Sequence, residues 1–555
     1  MSMVLSACSE RESIAEITVS FNAGGGTAVK EVYNGYVESF PISKKDGYYI
    51  ENWYTDEEKT NRAVFPFRAG ESCTLYAKWV SRVSGNEEIT YVKNDKGTAY
   101  IAERYKGYAY SVCVPDIHNG FPVVGVSDYF LEKKNYVNFI YIGKRVADIG
   151  NAFTRCSSLT EFEVNPDNTN YATEDGILYS KNLTRLYSYP SARKSESFTL
   201  NAVSEEKAFY LCDNLKELHF GRNGYIPESG LADMVAIESY TANQENGYYS
   251  SEKGILYSKD MKILIRCPVV TGNAPVKIND TTESVAENAF LKSDVKEIVL
   301  GKNVNSYNDF SEVPYLECYK VEKDNVNFTA DTGVLYSADG KNLLRFPCGI
   351  SGEYRVKAGV ETIMDFAFSE SKEITVINLP SSVKTIENCA FYGCEKLKSV
   401  ICDENSLLSN IAGNAFSRCS RLEKIALTSV RPPQTETDIF SASDKAVTLF
   451  VPKNAGDMYK DLWKGINAQI TPDGFPLTEY TTTFVANGEI FYSQHGVYVS
   501  GVPTLPQKEG YVFEGWYDNE HCVGEKLQFP YVAVEHVTFY AFFEEYIDMG
   551  ESESE

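Results

Sequence analysis

The stretch VKTIENCAFYGCEKLKSVIC, residues 383–402, decides the fold. It carries an Ala-Phe pair, then Cys394, then Leu397, Val400 and Cys402 in the spacing of a strand with a buried side. The phrase returns as NAFTRCSSLTEFEV (151–164), KAFYLCDNLKELHF (207–220), NAFLKSDVKEIVL (288–300), FAFSESKEITVINL (366–379) and NAFSRCSRLEKIAL (414–427). Within the last copy, steps of three from Phe416 through Cys419 to Leu422 predict a short helical or 3₁₀ turn, and Ile425 and Leu427 alternate as in a strand. Phe368, Phe391 and Phe416 recur at steps of 23 and 25 residues. Steps of roughly 20–29 residues belong to small stacking repeats, and a unit of that size closes a core only against its neighbours.

A longer period lies over the first. EDGILYSKNLTRLYSYP (174–190), EKGILYSKDMKILIRCP (252–268) and DTGVLYSADGKNLLRFP (331–347) align on Gly176, Gly254 and Gly333. Each follows an Asn/Asp-rich turn such as NPDNTNY at 165–171. Over about 145–475 the chain resembles the BspA-like leucine-rich-repeat family of bacterial surface proteins. The fold expected is mostly β with short helical turns, an α/β solenoid.

Two shorter segments repeat each other at the chain's ends. ITVSFNAGGGTAVKEV, GYYIENWYTDEE and TLYAKWV within 17–80 match TTFVANGEIFY (482–492), GYVFEGWYDNEH (510–521) and TFYAFF (538–543). Both resemble the internalin-type B-repeat, or Listeria–Bacteroides repeat, which implies a small β-grasp-like module. The first copy has Asn52 where that pattern has Gly, and the second has Phe542–Phe543 where the first has Lys78–Trp79. Trp53 and Trp516 are expected in the module cores. Gly24–Gly26 reads as a hairpin turn, since the Lys-Ser/Thr of a phosphate loop is missing. The expected organisation is a lipobox-like leader and tether (1–16), the first module (17–80), and a linker with the solenoid's N-terminal cap (81–145). Repeats with a C-terminal cap (146–475), the second module (480–546) and an acidic disordered tail (547–555) follow.

The 555 residues carry a net charge of −24, which offers phosphates no basic face and argues against nucleic acid. No apolar run reaches the ~18 residues that spanning a bilayer needs. LSAC at 5–8 resembles the lipobox of bacterial lipoproteins, which implies lipid attachment at Cys8, although only seven residues precede that cysteine and none is basic. Cys156, Cys212, Cys394 and Cys419 share one repeat position and are expected as a buried column rather than as bridges or ligands. The histidines at 118, 219, 495, 521 and 536 fit no metal spacing, and no nucleophile motif is present. His521 beside Cys522 with His536 nearby reads as loop chance. The Asx turns at 165–171, 243–246 and 324–327 read as turn capping, because they lack the spacing and glycine of a calcium loop. No catalytic, cofactor-binding or metal-binding residue is assigned, and no enzyme is expected.

The best binding candidate is geometric. Between the last two apolar positions of each repeat strand lies a residue expected to face away from the core. That column reads Glu163, His219, Val299, Asn378, Ile401 and Ala426. Its drift toward apolar side chains suggests an exposed stripe for a protein partner. Arg266 and Arg345 are expected to charge a second column. The reading is an extracellular, lipid-anchored surface protein of bacteria, an adhesin or protein-binding lipoprotein whose partner is a host-matrix or neighbouring-cell protein, with the end modules as spacers. A glycan-capturing protein and a structural surface-layer spacer are the alternatives.

Overall fold

The computed structural model describes residues 17–545 except 33, 270–273, 307–309, 311–312, 436–438, 442–445, 473–480, 496–497, 500–504, 510, 523–525, 528–530 and 533–536. Cys8 and His536 lie outside the described residues. The chain divides into two compact units, Met1–Val270 and Thr271–Glu555.

The first unit opens with a three-stranded sheet in which Cys73–Ser81 runs parallel to Val19–Asn22 and antiparallel to Tyr48–Tyr54. Alternation along these strands sends Trp53, Leu75 and Ala77 into the module core. The Trp53 indole donates to the Pro41 carbonyl at 2.8 Å. Gly26 makes room for Trp79, because a Cβ there would sit 2.3 Å from the indole ring.

A hairpin of Ile89–Lys93 and Tyr100–Tyr105 follows. Stacking then begins: Ser111–Val114, Phe139–Ile142 and Glu161–Val164 pair in parallel, with Val112, Ile140 and Phe162 in register. A second parallel sheet joins Ser197–Leu200, Glu217–Phe220 and Ser239–Ala242.

The long-period segments form antiparallel arms inserted between coils. Tyr171–Glu174 with Ile177–Ser180 and Tyr249–Glu252 with Ile255–Ser258 belong to the first unit, and Phe328–Asp331 with Val334–Ser337 to the second. Their turns are Asp175-Gly176, Lys253-Gly254 and Thr332-Gly333, with φ values of 51/73, 49/80 and 49/83°. Two successive positive φ values give the twist that two-residue hairpins need, which explains the glycine repeated in all three. Each glycine carbonyl then accepts from the coil strand that precedes its arm: Phe162 N at 2.8 Å, Tyr240 N at 2.9 Å and Tyr319 N at 2.8 Å.

One asparagine anchors each arm. The Asn246 amide donates to the carbonyls of Gly221 and Gly224, at 2.6 and 2.9 Å, and its oxygen accepts from Tyr248 N and Tyr249 N, both at 2.8 Å. Asn168 repeats this with Gly143, Val146, Asn170 and Tyr171. Asn325 does so with Gly301, Val304, Asn327 and Phe328. The Asx-rich turns therefore spend their central side chains on backbone groups.

In the second unit Val276–Lys277, Glu297–Leu300 and Cys318–Val321 form a parallel sheet. The third arm opens a seven-stranded sheet, and a six-stranded sheet begins beyond it. One continuous core holds side chains from both, including a ladder of aromatic rings. Phe346, Phe368, Phe391, Phe416 and Phe440 stack with centroid spacings of 4.8, 4.8, 5.1 and 5.9 Å. Cys394 and Cys419 sit in the same core and donate to the preceding coil's carbonyls, Phe368 O at 3.1 Å and Phe391 O at 3.0 Å. Burial pushes the Cys394 thiol well up, and that of Cys156 to about 12. Cys212 is only half-buried, and among the described residues no cysteine forms a disulfide. In the closing helix Gly456–Leu462, Tyr459 and the following Trp463 bury and bond to Ser429 O and Pro433 O, while Met458 and Leu462 stay exposed. The second module follows as Glu489–His495, Thr481–Ala486, Val537–Glu545 and Tyr511–Tyr517, in that spatial order.

Candidate functional site

A repeat protein meets partners through side chains pointing away from its core, so the outward faces of the parallel sheets are its candidate binding surfaces. On the Ser111–Val114, Phe139–Ile142 and Glu161–Val164 sheet, that face is already taken. Tyr49 and Val80 of the first module pack on Cys113, Phe139 and Tyr141 in an apolar cluster of their own. Arg82 clamps Glu163 through two contacts of 2.5 and 2.9 Å and lies over the Tyr141 ring. Lys44 reaches Glu161 at 2.7 Å. Burial raises the Glu163 carboxyl above its usual range, opposed by Arg82 and Lys44. The first module is thus a docked element and not the free spacer expected, and Glu163 serves an internal contact.

This docking makes a direct prediction. Tyr49→Asp places a charge where a 2% exposed ring now lies, and burying an unpaired charge is costly enough to open the contact. Cys113, fully buried beneath the module, should then alkylate at least about tenfold faster while Cys394 stays inert. Equal rates at Cys113 before and after substitution would contradict the docking.

The apolar end of the expected stripe is not exposed. Ile401 is 3% accessible, Ala426 1% and Asn378 3%. In-register pairing places Arg355, Asn378, Ile401, Ala426 and Phe450 in one ladder. Arg355 pairs with Asp403, two strands away, so its side chain crosses the strand carrying Asn378. The central members are buried, while Arg355 and Phe450 at the ends keep partial access. Arg266 and Arg345 are also buried and not a surface column: Arg266 donates toward Met234 O, and Arg345 to Leu344 O and Asp365 O.

Of the other candidates, Val299 and His219 are half-buried, one in each unit. Val299 is half-buried between Lys277 and Lys320 in register. Those lysines pair with Glu322 at 2.7 Å and Glu297 at 2.8 Å. His219 is half-buried on the sheet of Ser197–Leu200, Glu217–Phe220 and Ser239–Ala242. Its ring bridges Ser197 Oγ at 3.0 Å and Thr241 Oγ1 at 2.6 Å. Thr199, Glu217 and Thr241 beside it are exposed, so this sheet presents a small-residue polar surface. Among the described residues no three His, Cys, Asp or Glu side chains are placed to hold a metal, and no helix is long and apolar enough to cross a membrane.

The sequence reading missed Tyr49, Lys44 and Arg82 as docking residues. A signal was present on the other side of the contact: SVCV (111–114) and FIYI (139–142) are nearly unbroken apolar runs, whereas EFEV (161–164) and ELHF (217–220) alternate. Unbroken runs mark strands covered on both faces.

Stacked coils, parallel outward sheets and periodic asparagine anchors define a leucine-rich-repeat solenoid. Residues 124–252 and 351–468 match the BspA type Leucine rich repeat region, in 6 copies, and residues 18–78 and 480–542 match the Listeria-Bacteroides repeat domain. The chain is a BspA-type leucine-rich-repeat protein carrying two Listeria–Bacteroides repeat domains. Residues 253–350 fall outside those matches yet contain coils and the third arm.

Similar solved structures include a leucine rich cell surface protein from Faecalibacterium prausnitzii, at 17% identity over 70% of this chain and 94% of that one, TM-score 0.31. A leucine-rich repeat protein from Eubacterium ventriosum is 15% identical over 72% and 86%, TM-score 0.34. One from Bacteroides ovatus is 17% identical over 70% and 99%, TM-score 0.23. No curated protein matches the chain. Families of this kind are typically bacterial surface proteins, and such solenoids typically bind proteins without catalysing reactions.

Proposed function

We propose that this protein is an adhesin of the bacterial surface, held by lipid on Cys8, that binds a host-matrix or neighbouring-cell protein on the sheet around His219. The observation carrying this reading is accessibility. Of the outward surfaces expected to bind, the one near Glu163 is filled by the chain's own module and the one at Asn378, Ile401 and Ala426 is enclosed, while Thr199, Glu217 and Thr241 stand open. Small hydroxyls flanking one imidazole suit hydrogen-bonded recognition of a polar protein surface. The reading is non-enzymatic. Glycan capture on the module tryptophans is disfavoured because Trp53 and Trp516 lie in their cores. A pure spacer role is disfavoured by the docking of the first module.

The test is binding of the full chain to immobilised matrix proteins and glycans. A saturable protein ligand should lose at least about tenfold in affinity with Thr199→Arg and Thr241→Arg, which alter only exposed positions. Binding to glycans alone, or binding indifferent to both substitutions, would remove this site. In the same cells Cys8→Ala should release the protein from the membrane fraction, and identical fractionation would remove the anchor.

A further inference from the structure

The two end modules share a β-bulge just before the core tryptophan, at Asn52 in the first and Gly515 in the second. In the second module Glu514 pairs with Lys526 at 2.6 Å, and Lys526 lies over Gly515, where a Cβ would meet its chain at 3.1 Å. Glu51 takes the place of Glu514 in the first module but pairs with Lys78, at 2.9 Å, which stands where the second module has Phe542. Arg62 takes the place of Lys526, since each precedes the residue whose amide donates to the tryptophan's carbonyl, Ala63 N to Trp53 O and Leu527 N to Trp516 O. Arg62 is thereby left with no carboxylate partner among the described residues and lies over the Tyr108 ring, 5.3 Å from its centroid. The Asn52 oxygen accepts from Trp53 N at 3.1 Å, which directs its amide nitrogen the other way. That nitrogen finds no acceptor among the described residues, although Asn52 is only 1% exposed. Asn52 lines an open groove of about 340 Å³ between the module and the turns leading into Ser111–Val114 and Phe139–Ile142. The groove walls are apolar, Val64 and Phe65 on one side and Tyr110 and Tyr136 on the other. The Tyr110 hydroxyl accepts from Phe65 N and the Tyr136 hydroxyl donates to Gly107 O, both at 2.8 Å, so both are spent on the walls themselves. Tyr108 stands 64% exposed, with Lys134 4.9 Å from its ring centroid. Glu88 is the carboxylate that acts on Lys134, without pairing with it.

We propose that this groove binds a short acidic peptide segment of a partner protein, one apolar side chain flanked by carboxylates. A buried amide without an acceptor is costly until a ligand supplies one, and a peptide carbonyl does so. Ligand clefts are mostly apolar walls with a few placed polar groups, here one donor inside and two cations at Tyr108. A saccharide ring carries hydroxyls on every side and would leave most of them unpaired against these walls, whereas an apolar side chain would not. In a chain of net charge −24, cations without carboxylate partners beside a groove select an anionic ligand. The second module, with Gly515 and a paired Lys526, has neither the amide nor the unpaired cation. The inference does not depend on the ligand proposed for the sheet around His219.

Fluorescence anisotropy of the full chain with labelled short peptides tests it, each peptide carrying a central leucine, phenylalanine, tyrosine or proline between aspartates or between lysines. At least one aspartate peptide should bind with a Kd below about 100 µM, and every lysine peptide at least about tenfold more weakly. Arg62→Glu, at an exposed position, should weaken the aspartate peptide at least about tenfold. Asn52→Asp keeps the acceptor for Trp53 N, turns an oxygen toward the groove and should weaken it as much. Where Asn52→Asp fails to fold, Arg62→Glu carries the test alone. Thr199→Arg should leave peptide binding unchanged. No aspartate peptide binding within that limit, lysine peptides binding equally well, or binding indifferent to Arg62→Glu overturns the proposal. So does an acidic oligosaccharide, oligogalacturonate, that binds while every peptide stays silent.

Discussion

Replacing Asn246 by aspartate should destabilise the first unit by about 4 kcal/mol, although the change is nearly isosteric. The amide makes two donor contacts to Gly221 O and Gly224 O from a fully buried position. An aspartate carboxylate keeps the contacts to Tyr248 N and Tyr249 N but turns an oxygen toward those two carbonyls. Three acceptors then face one another at once, the two carbonyls and the new oxygen, and the buried charge lacks donors on that side. Asn246→Ala should cost about 3 kcal/mol, because it leaves the two carbonyls and the Tyr248 and Tyr249 amides unpaired but adds no charge. Three residues earlier, the Asn243 side chain accepts from the exposed Glu245 N, so Asn243→Ala should cost no more than about 1 kcal/mol. Hydrogen exchange at the Tyr248 and Tyr249 amides, with urea unfolding, would read all three. Equal costs at Asn243 and Asn246 would remove the anchoring role.

The second large effect is expected at the aromatic ladder. Phe391 is fully buried with a ring on each side, Phe368 at 4.8 Å and Phe416 at 5.1 Å. Truncation to alanine loses transfer free energy and both stacking partners, so Phe391→Ala should cost about 4 kcal/mol. Phe391→Leu retains most of the volume and should cost roughly 1.5 kcal/mol. Phe440 ends the ladder with its neighbour at 5.9 Å and should tolerate truncation better than Phe391. Because coils couple mainly to their neighbours, the loss should appear in exchange of the flanking strands Ile374–Leu379 and Lys424–Ala426 before the second module responds. A Phe440 cost equal to that of Phe391 would argue against stacking as the source.

Both predictions show where the sequence was legible. The phenylalanine ladder was readable because a fixed step of 23–25 residues returns the same side chain to the same place on each coil. The arm glycines stood out as the points on which the long period aligns, but the hairpins they turn were decided by the structure. The anchoring asparagines did not stand out. NPDNTNY contains three asparagines of similar local character, and only burial under the preceding coil separates Asn168 from Asn165 and Asn170.

What the sequence alone determined is periodic and local: the repeat, its buried phenylalanines, the two end modules and their buried tryptophans. Each follows from spacing or backbone chemistry that repeats along the chain, so one copy explains the others. What only the tertiary structure decided is which outward faces remain open. Glu163, Ile401 and His219 hold the same repeat position, yet one is clamped by Arg82, one is enclosed and one is accessible. The physical reason is that strand alternation fixes only the side to which a residue points. Whether that side meets solvent depends on side chains delivered from distant sequence, as Arg82 and Tyr49 are to the sheet of Phe139 and Tyr141.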